Sequence, residues 1–407
     1  MNKQSRENQD PIEIYLIDIV DIRGLKDIHR TCVFPIFKKN AMNPAPGLRT
    51  HYPALDGLRG MAILLVVFFH NFGFIRSSNF GWLGVDLFFV LSGFLITGIL
   101  MDEKEQPGFL RRFYLRRIFR IFPLYYAVLI LFLIVCPMLG WFRMELNYYQ
   151  ENQWWLWAYL QNWLYSFRLE SGATLLNHFW SLAVEEQFYL IWPFLVLWIR
   201  KPQALFRVMS FLLIAVLAAR SAVWMAGRSD VNYTTLYTFT RIDGICIGSM
   251  LALLMRSRPE LIGRYFAIIV MGLAGLNYVF YFVNQAAGSQ YPYFAFVGYT
   301  TFCALFALLV HELVKGTSPL LDRMFRMPPL RYLGKISYGF YVFHWPVYVL
   351  TRPPLNQWLQ SDLVLSPKQS ELAVAVVSTT LALLLSILSY HTYERYFLTM
   401  KERYARS

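Results

Sequence analysis

Ionisable side chains lie inside segments of this sequence that are otherwise apolar. The first such segment carries Arg59 and His70, with ten residues between them. In a helix, the eleven steps from one to the other span about 16 Å, so the two side chains would lie at two depths of one cavity. A charged group in a spanning helix costs at least about 2.5 to 3.5 kcal/mol on insertion scales, so each one needs an explanation. A lone histidine there is usually structural, but the arginine in the same helix favours acid–base chemistry at His70.

Two other segments place carboxylates inside apolar stretches. Asp86 lies at a depth comparable with His70, where a carboxylate either fixes the tautomer of an imidazole or forms a helix-packing ion pair. Glu185 and Glu186 are adjacent, and only one of them can face a given cavity. Because Ser181 and Glu185 are four residues apart, they share a helix face. Glu185 is therefore the preferred catalytic or orienting carboxylate, and Glu186 is the alternative.

The remaining polar residues of the apolar segments are predicted to support this core. Arg241 and Asp243 form a charged pair that we interpret as structural, and Tyr341 and His344, three residues apart, can share a face. Small residues in the second segment are interpreted as points of close helix contact; they are Gly81, Gly84 and Gly93. The supporting residues are Trp180, Ser181, Glu186, Arg241, Asp243, Tyr341 and His344.

A basic run precedes the third apolar segment. Within it, Arg117 and Arg120 are spaced i, i+3 and would present two guanidinium groups on one side of a helix entering the membrane. Such a pair suits phosphate oxygens. The alternative is that these residues only set the orientation of the protein and contact lipid headgroups.

The elements that must position these residues are membrane helices. Of 407 residues, 57% are apolar and 15% charged, which excludes most water-soluble folds. We predict an all-α polytopic membrane protein of about ten transmembrane helices, since a spanning helix needs about 20 mostly apolar residues. The windows are Leu55–Phe74, Leu83–Met101, Ile121–Trp141, Phe179–Ile199, Leu205–Met225, Phe239–Met255, Tyr265–Val283, Tyr293–Val314, Ser337–Leu350 and Leu372–Tyr390.

The positions of the cations predict the orientation. The net charge of +13 is concentrated in alternate connections, which indicates that the N- and C-termini are cytoplasmic and that the number of helices is even. Residues 1–50 are expected to be a polar cytoplasmic tail, or partly a segment upstream of a true start at Met42. The transmembrane domain would cover 51–396, and 397–407 would form a basic cytoplasmic tail. The outer segment 142–177 is rich in Trp and Tyr, which indicates an interfacial belt or, alternatively, a sugar-stacking platform.

Other classes of site are disfavoured by the sequence. The seven histidines show no close ligand spacing, the four cysteines are dispersed, and there is no Gly-rich phosphate loop. We therefore expect no metal and no permanently bound cofactor. The basic charge points to bilayer orientation and not to nucleic acid.

Together these residues resemble the integral-membrane acyltransferase family 3. Arg59 and His70 match the family's Arg/Lys, ten residues, His motif, and Arg117 and Arg120 match its Arg-x-x-Arg motif. Further matches occur in the same order as in the family, over a stretch from about Leu55 to Tyr396; they are Gly84, Asp86, Phe89, Ser92 and Gly93, then Trp180, Ser181, Glu185, Glu186, Tyr189 and Pro193, then Gly334, Ser337, Tyr338, Tyr341, His344 and Pro346. The fused hydrolase-like domain of some members is absent from this sequence.

The resemblance implies O-acyl transfer, most often of acetyl from acetyl-CoA, to a hydroxyl of a carbohydrate or lipid-linked glycan at a bacterial inner membrane. It implies that His70 is a general base or a transient acyl carrier, that Asp86 and Glu185 orient it, and that Arg59, Arg117 and Arg120 bind the donor. Membrane lipids would surround the protein, and a glycan-assembly partner protein is left open. The alternatives are a transporter or channel whose charges line a permeation path, and a family member with a succinyl or other acyl donor.

Overall fold

The computed structural model describes residues 51–404, apart from 169–173, 227–235 and 287–293. Within these ranges the chain is helical and contains no strand. The predicted tail over residues 1–50 lies outside the described residues, as do residues 405–407 of the predicted C-terminal tail.

Ten long helices form the framework of the described part of the protein. They are α1 (Pro53–Asn71), α2 (Leu83–Glu103), α3 (Phe109–Ile130), α4 (Trp180–Ile199), α5 (Pro202–Met225), α6 (Asp243–Ser257), α7 (Pro259–Ala286), α8 (Tyr299–Lys315), α9 (Pro328–Ser361) and α10 (Pro367–Ser389). Shorter helical elements are Arg76–Phe80, Leu131–Val135, Cys136–Met138, Arg143–Glu151, Gln153–Trp157, Gln161–Arg168, Asn177–Phe179, Thr238–Arg241, Phe294–Gly298, Pro319–Phe325, Tyr390–Glu394 and Arg395–Tyr404. Eight of the described segments are long and apolar enough to cross a membrane, and they lie on all the long helices except α6 and α9. The all-α polytopic membrane fold is therefore confirmed.

The two remaining helices differ from their predicted windows. A break at Ile242 divides the predicted Phe239–Met255 segment, so that α6 has only 15 residues. The other helix, α9, has 34 residues and extends far beyond the predicted Ser337–Leu350. Its ends carry charged residues such as Arg331 and Arg352, which lower the hydropathy of the segment without interrupting the helix. At 1.5 Å per residue α9 is about 50 Å long, more than the hydrocarbon core of a bilayer.

Glycines allow the central helices to approach closely. In α9, a Cβ added to Gly334 would collide with the backbone carbonyl of Asp56 in α1. Gly84 of α2 lies in the same way against the carbonyl of Ala62, and Gly93 against that of Ile245 in α6. Gly81, before α2, lies against the carbonyl of Leu65. The predicted role of these α2 glycines in helix contact is confirmed, and α1 is held between α2 and α9.

The segment 142–177, predicted as an outer loop, contains three short helices among its described residues, and the burial of its aromatic side chains varies. Trp154 and Trp155 are exposed, but Tyr149, Tyr159 and Tyr165 are buried in the core. Tyr159 stacks on Tyr125 of α3 with 4.1 Å between ring centroids. The three tyrosines thus pack against protein, because the described part of this segment folds back over α3 and completes the core.

Candidate active site

The last turn of α1 brings His70 against α9. The Nδ1 atom of His70 lies 2.8 Å from Nε2 of His344, and the two rings are nearly parallel with centroids 5.1 Å apart. His344 is fully buried, whereas His70 keeps part of its surface accessible. The close packing of α1 on α9 therefore forms a pair of imidazoles in which one ring is accessible.

The contacts of His344 fix the tautomers of both rings. Its Nδ1 atom lies 2.7 Å from the carbonyl oxygen of Tyr341 and 3.2 Å from that of Phe340. A carbonyl can only accept a hydrogen bond, so Nδ1 of His344 carries the proton, and Nε2 of the neutral ring is an acceptor. His70 must then donate from Nδ1, which leaves its lone pair on Nε2. This is the protonation state that a general base requires.

Tyr341 connects this pair to the start of α4. Its hydroxyl lies 2.6 Å from the carbonyl oxygen of His178, to which it donates, and 2.6 Å from the hydroxyl of Ser181, from which it accepts. The ring of His178 packs edge-on against His344 with 5.3 Å between centroids. All of these side chains are buried. The backbone of Tyr341 thus holds His344, and its side chain anchors α9 to α4.

Two adjoining cavities lead toward this cluster from the side of Arg59. The larger has a volume of about 690 Å³, and the narrower, of about 100 Å³, reaches Ser181 and Tyr341. Five residues line both cavities: Arg59, Ser92, Arg117, Arg120 and Tyr189. His70 is eleven residues farther along the uninterrupted α1, about 16 Å from Arg59. The cavities therefore extend from a basic entrance toward the turn of α9 that holds His344.

The charges at the junction of the two cavities are unbalanced. Arg59 lies 3.5 Å from Asp56, but neither Arg117 nor Arg120 forms an ion pair within the described part of the chain. The guanidinium of Arg117 lies over the ring of Tyr189, 5.7 Å from its centroid. Partly buried cations without a carboxylate partner suit an anionic ligand such as a phosphate.

Ser181 and Glu185 both line the narrow cavity, as expected from their spacing on one helix face. The hydroxyl of Ser92 donates to Glu185 at 2.7 Å and accepts from the hydroxyl of Tyr189 at 2.9 Å. Glu186 lines neither cavity. Glu185 is therefore fixed in the wall of the narrow cavity through its contact with α2.

Comparison with known proteins identifies the family. The family model described as "Acyltransferase domain" matches residues 52–391. The chain belongs to the membrane acyltransferase family 3. No solved structure matches the chain.

Three relatives of this acyltransferase are named as acetyltransferases. The chain is 32% identical to the peptidoglycan O-acetyltransferase OatA of Listeria monocytogenes, over 76% of this chain and 51% of that protein. It is 33% identical to the putative peptidoglycan O-acetyltransferase YrhL of Bacillus subtilis, over 74% of this chain and 49% of that protein. It is 29% identical to the O-acetyltransferase OatA of Staphylococcus aureus, over 74% of this chain and 51% of that protein. The chain spans about half the length of these relatives.

The charged pairs of this acyltransferase differ from the predicted pairing. Arg241 forms an ion pair with Asp86 at 2.6 Å, and Asp243 forms one with Arg220 at 2.9 Å, so Arg241 and Asp243 do not pair with each other. The guanidinium of Arg241 also lies 3.8 Å from the ring centroid of Tyr299. All four charged residues are buried. The acyltransferase thus contains two balanced ion pairs, one that joins α2 to the short helix Thr238–Arg241 and one that joins α5 to α6.

The partner of His70 in the acyltransferase is another histidine. Asp86 contacts Arg241 and Glu185 contacts Ser92, while His344, predicted only as a supporting residue, contacts His70 directly. Trp180, also predicted as supporting, lies beside Arg241 with 5.5 Å between its ring centroid and the guanidinium.

The sequence analysis did not place Arg220 or His178 in the polar core, and it gave Tyr189 only as a match to the family pattern. Arg220 carried a signal, since it lies deep within the apolar segment Leu205–Met225, whereas the other cation of that segment, Arg207, lies two residues from its start. His178 and Tyr189 flank the predicted carboxylates, but nothing in their spacing indicates that one contacts His344 and the other contacts Ser92.

Proposed function

We propose that this protein is an O-acetyltransferase of the bacterial inner membrane. It transfers acetyl from cytoplasmic acetyl-CoA to a hydroxyl of a cell-surface or lipid-linked carbohydrate. The observation that carries this proposal is the His70–His344 pair, with its lone pair on Nε2 of His70, at the far end of the helix that carries Arg59. The names of the relatives, which specify O-acetylation and in two cases peptidoglycan, support a carbohydrate acceptor.

The cavities support a coenzyme A thioester as the donor. The larger cavity, of about 690 Å³, lies within the range of about 300 to 1,000 Å³ that is common for ligand sites. Arg59, Arg117 and Arg120 at the junction suit the phosphates, and the narrow cavity suits the thin pantetheine arm. Beyond these arginines the narrow cavity contains Glu185 and Tyr341 and no further cation. The free carboxylate of a succinyl donor would be repelled by Glu185. This repulsion favours an acetyl donor over a succinyl donor.

The entrance to the larger cavity marks the cytoplasmic side in this proposal. It is lined by cations that include Arg116, Arg256 and Lys401 in addition to the three junction arginines. Cation-rich ends of spanning helices lie on the cytoplasmic side, so His70, at the opposite end of α1, faces outward. Both chain termini are then cytoplasmic, and the acetyl group crosses the membrane within the protein while the nucleotide stays inside.

His70 performs the chemical step as general base. Its Nε2 takes the proton of the acceptor hydroxyl while that oxygen attacks the thioester carbonyl. A carbon–oxygen bond forms and the carbon–sulfur bond breaks. The sulfur leaves with the electron pair and recovers the proton from the imidazolium, which gives the ester and free coenzyme A. His344 accepts from Nδ1 of His70 throughout and keeps the ring oriented.

The experiment uses membranes that express the full chain. Labelled acetyl-CoA is supplied, and label is measured in extracted glycans and lipids for wild type, His70→Ala, the pair Arg117→Ala/Arg120→Ala and the control Arg111→Ala. Arg111 lies in the same basic run but lines neither cavity. We expect no transfer by His70→Ala, a raised KM for acetyl-CoA with the arginine pair, and wild-type behaviour of Arg111→Ala.

Two outcomes would contradict the proposal. Absence of label with wild type and any acyl-CoA would favour a transporter, which moves a substrate without acyl chemistry. Transfer by His70→Ala at the wild-type rate would exclude His70 as the base. Label that stays on the protein after rapid denaturation, and is lost in His70→Ala, would instead identify His70 as an acyl carrier.

A further inference from the structure

An indole ring lies directly beside the reactive imidazole. Trp345 follows His344 in α9, and its ring centroid is 4.9 Å from that of His70. The indole Nε1 donates to the carbonyl oxygen of Thr174 at 2.7 Å, which fixes the orientation of the ring. Trp345 and His70 are both only partly buried. A fixed and partly accessible indole therefore adjoins His70.

Trp345 lies at the C-terminal end of α1, where the chain is exposed. The helix ends at Asn71, one residue after His70, and the next residues include the exposed Gly73 and Phe74. The basic cavities lie at the other end of α1, around Arg59. A molecule that reaches His70 past Trp345 thus does not have to enter through the cavities assigned to the donor.

Two further side chains of α9, those of Tyr348 and the charged Arg352, follow Trp345 in the direction away from His70. Tyr348 stacks on Trp345 with centroids 5.6 Å apart, and the guanidinium of Arg352 lies 5.9 Å from the Tyr348 ring. Arg352 lies 3.5 Å from Glu371, and their side chains are 51% and 34% exposed. Beyond the aromatic face there is thus a polar rim that can accept and donate hydrogen bonds.

We propose that Trp345 is the platform on which a sugar ring of the acceptor stacks. The inference rests on the proposed function and specifies its acceptor site. A sugar ring has an apolar C–H face and hydroxyls at its edge, so stacking on an indole buries the face and leaves the hydroxyls free. His344 occupies Nδ1 of His70, and the acceptor hydroxyl must approach Nε2. The ring centroids of Trp345 and His70 are 4.9 Å apart, so in this proposal a sugar held on the accessible part of Trp345 presents its edge hydroxyls to His70 in an oriented way.

The two exposed tryptophans of the outer segment, Trp154 and Trp155, provide a matched comparison. Trp155 is 40% exposed and Trp154 is 77% exposed, and neither ring contacts His70 in the described structure. If sugar binding needed only an accessible indole, these residues would serve equally well. Only Trp345 combines a fixed indole with contact to the base.

The test measures the two substrates separately in the full-length protein. Membranes containing wild type, Trp345→Ala, Trp345→Phe or Trp155→Ala receive labelled acetyl-CoA and soluble peptidoglycan oligosaccharides as the probe. We expect Trp345→Ala to raise the KM for the oligosaccharide about tenfold, the scale of one aromatic stacking contact. The KM for acetyl-CoA should stay within about twofold of wild type, Trp345→Phe should recover part of the loss, and Trp155→Ala should match wild type.

The outcomes separate this inference from the proposed function. If Trp345→Ala leaves the oligosaccharide KM unchanged, Trp345 is not the platform. If Trp345→Ala lowers kcat without changing the KM for the oligosaccharide, the role of Trp345 is to support His344 and His70, and the inference fails. If Trp155→Ala gives the larger rise in KM, the platform lies in the outer segment. Absence of transfer by wild type to this probe and to extracted glycans overturns the proposed function and the inference with it.

Discussion

His70 and His344 are 274 residues apart in the chain, and their facing ring nitrogens are 2.8 Å apart. The contact depends on the approach of α1 to α9 and on the carbonyl of Tyr341, which holds Nδ1 of His344. Orientation of an imidazole by a second imidazole differs from orientation by a carboxylate, because a neutral ring supplies an acceptor without placing a negative charge beside the base.

Removal of His344 should therefore impair catalysis and leave donor binding intact. We expect His344→Ala to lower kcat by up to about 10⁴-fold, the scale for loss of a partner that orients a catalytic histidine, with an unchanged KM for acetyl-CoA. His391→Ala is the matched control, since His391 is exposed and contacts Tyr332. Steady-state kinetics with labelled acetyl-CoA measure both constants. Wild-type kcat in His344→Ala would show that His70 does not need this partner.

Asp86 is expected to act on stability through its ion pair with Arg241. Asp86→Ala leaves the Arg241 cation buried without its partner, which should cost about 3 to 5 kcal/mol of unfolding free energy. The double variant Asp86→Leu/Arg241→Met removes both charges and should recover much of this loss. Thermal unfolding of the purified protein in detergent measures the effect. An Asp86→Asn variant that unfolds at the wild-type temperature but has no activity would instead favour a catalytic role for Asp86.

The contact between α1 and α9 can be tested at a glycine. Gly334→Ala places a Cβ against the carbonyl of Asp56, and the helices must separate. We expect a loss of about 1 to 3 kcal/mol, typical of overpacking, together with reduced kcat because His344 moves away from His70. The control is Gly263→Ala in α7, where an added Cβ meets nothing within 4 Å. It should be neutral or stabilise the helix by up to about 1 kcal/mol. Equal effects of the two substitutions would show that helix separation is not the cause.

The sequence predicts those features of the protein that depend on neighbouring residues. Apolar length is a local property, so the spans were predictable, and the shared face of Ser181 and Glu185 follows from their spacing. The extent of α9 was not predictable from hydropathy, because charged residues at its ends continue the helix. The partners of His70 and Asp86 depend on how each helix is rotated about its axis. That rotation is set by tertiary packing, such as the close contact of α2 with α6, and one sequence contains no direct signal for it.

The last prediction distinguishes the two adjacent carboxylates. Glu185 lines the narrow cavity and accepts from Ser92 at 2.7 Å, whereas Glu186 lines neither cavity. Glu185→Ala leaves the Ser92 hydroxyl without its acceptor, and a hydrogen bond to a charged group contributes about 1.5 to 3 kcal/mol, so kcat/KM should fall about 10- to 100-fold. Glu185→Gln keeps an acceptor oxygen and should retain more activity than Glu185→Ala.

Glu186→Ala is the comparison for this effect, and we expect a smaller loss in kcat/KM than with Glu185→Ala. Transfer rates at several acetyl-CoA concentrations, normalised to folded protein, give these values. If Glu185→Gln is as inactive as Glu185→Ala, the negative charge of Glu185 is required in addition to its contact with Ser92. A larger loss of kcat/KM with Glu186→Ala would transfer the functional assignment to Glu186. The position of Glu185 in the cavity wall would then not decide which carboxylate is functional.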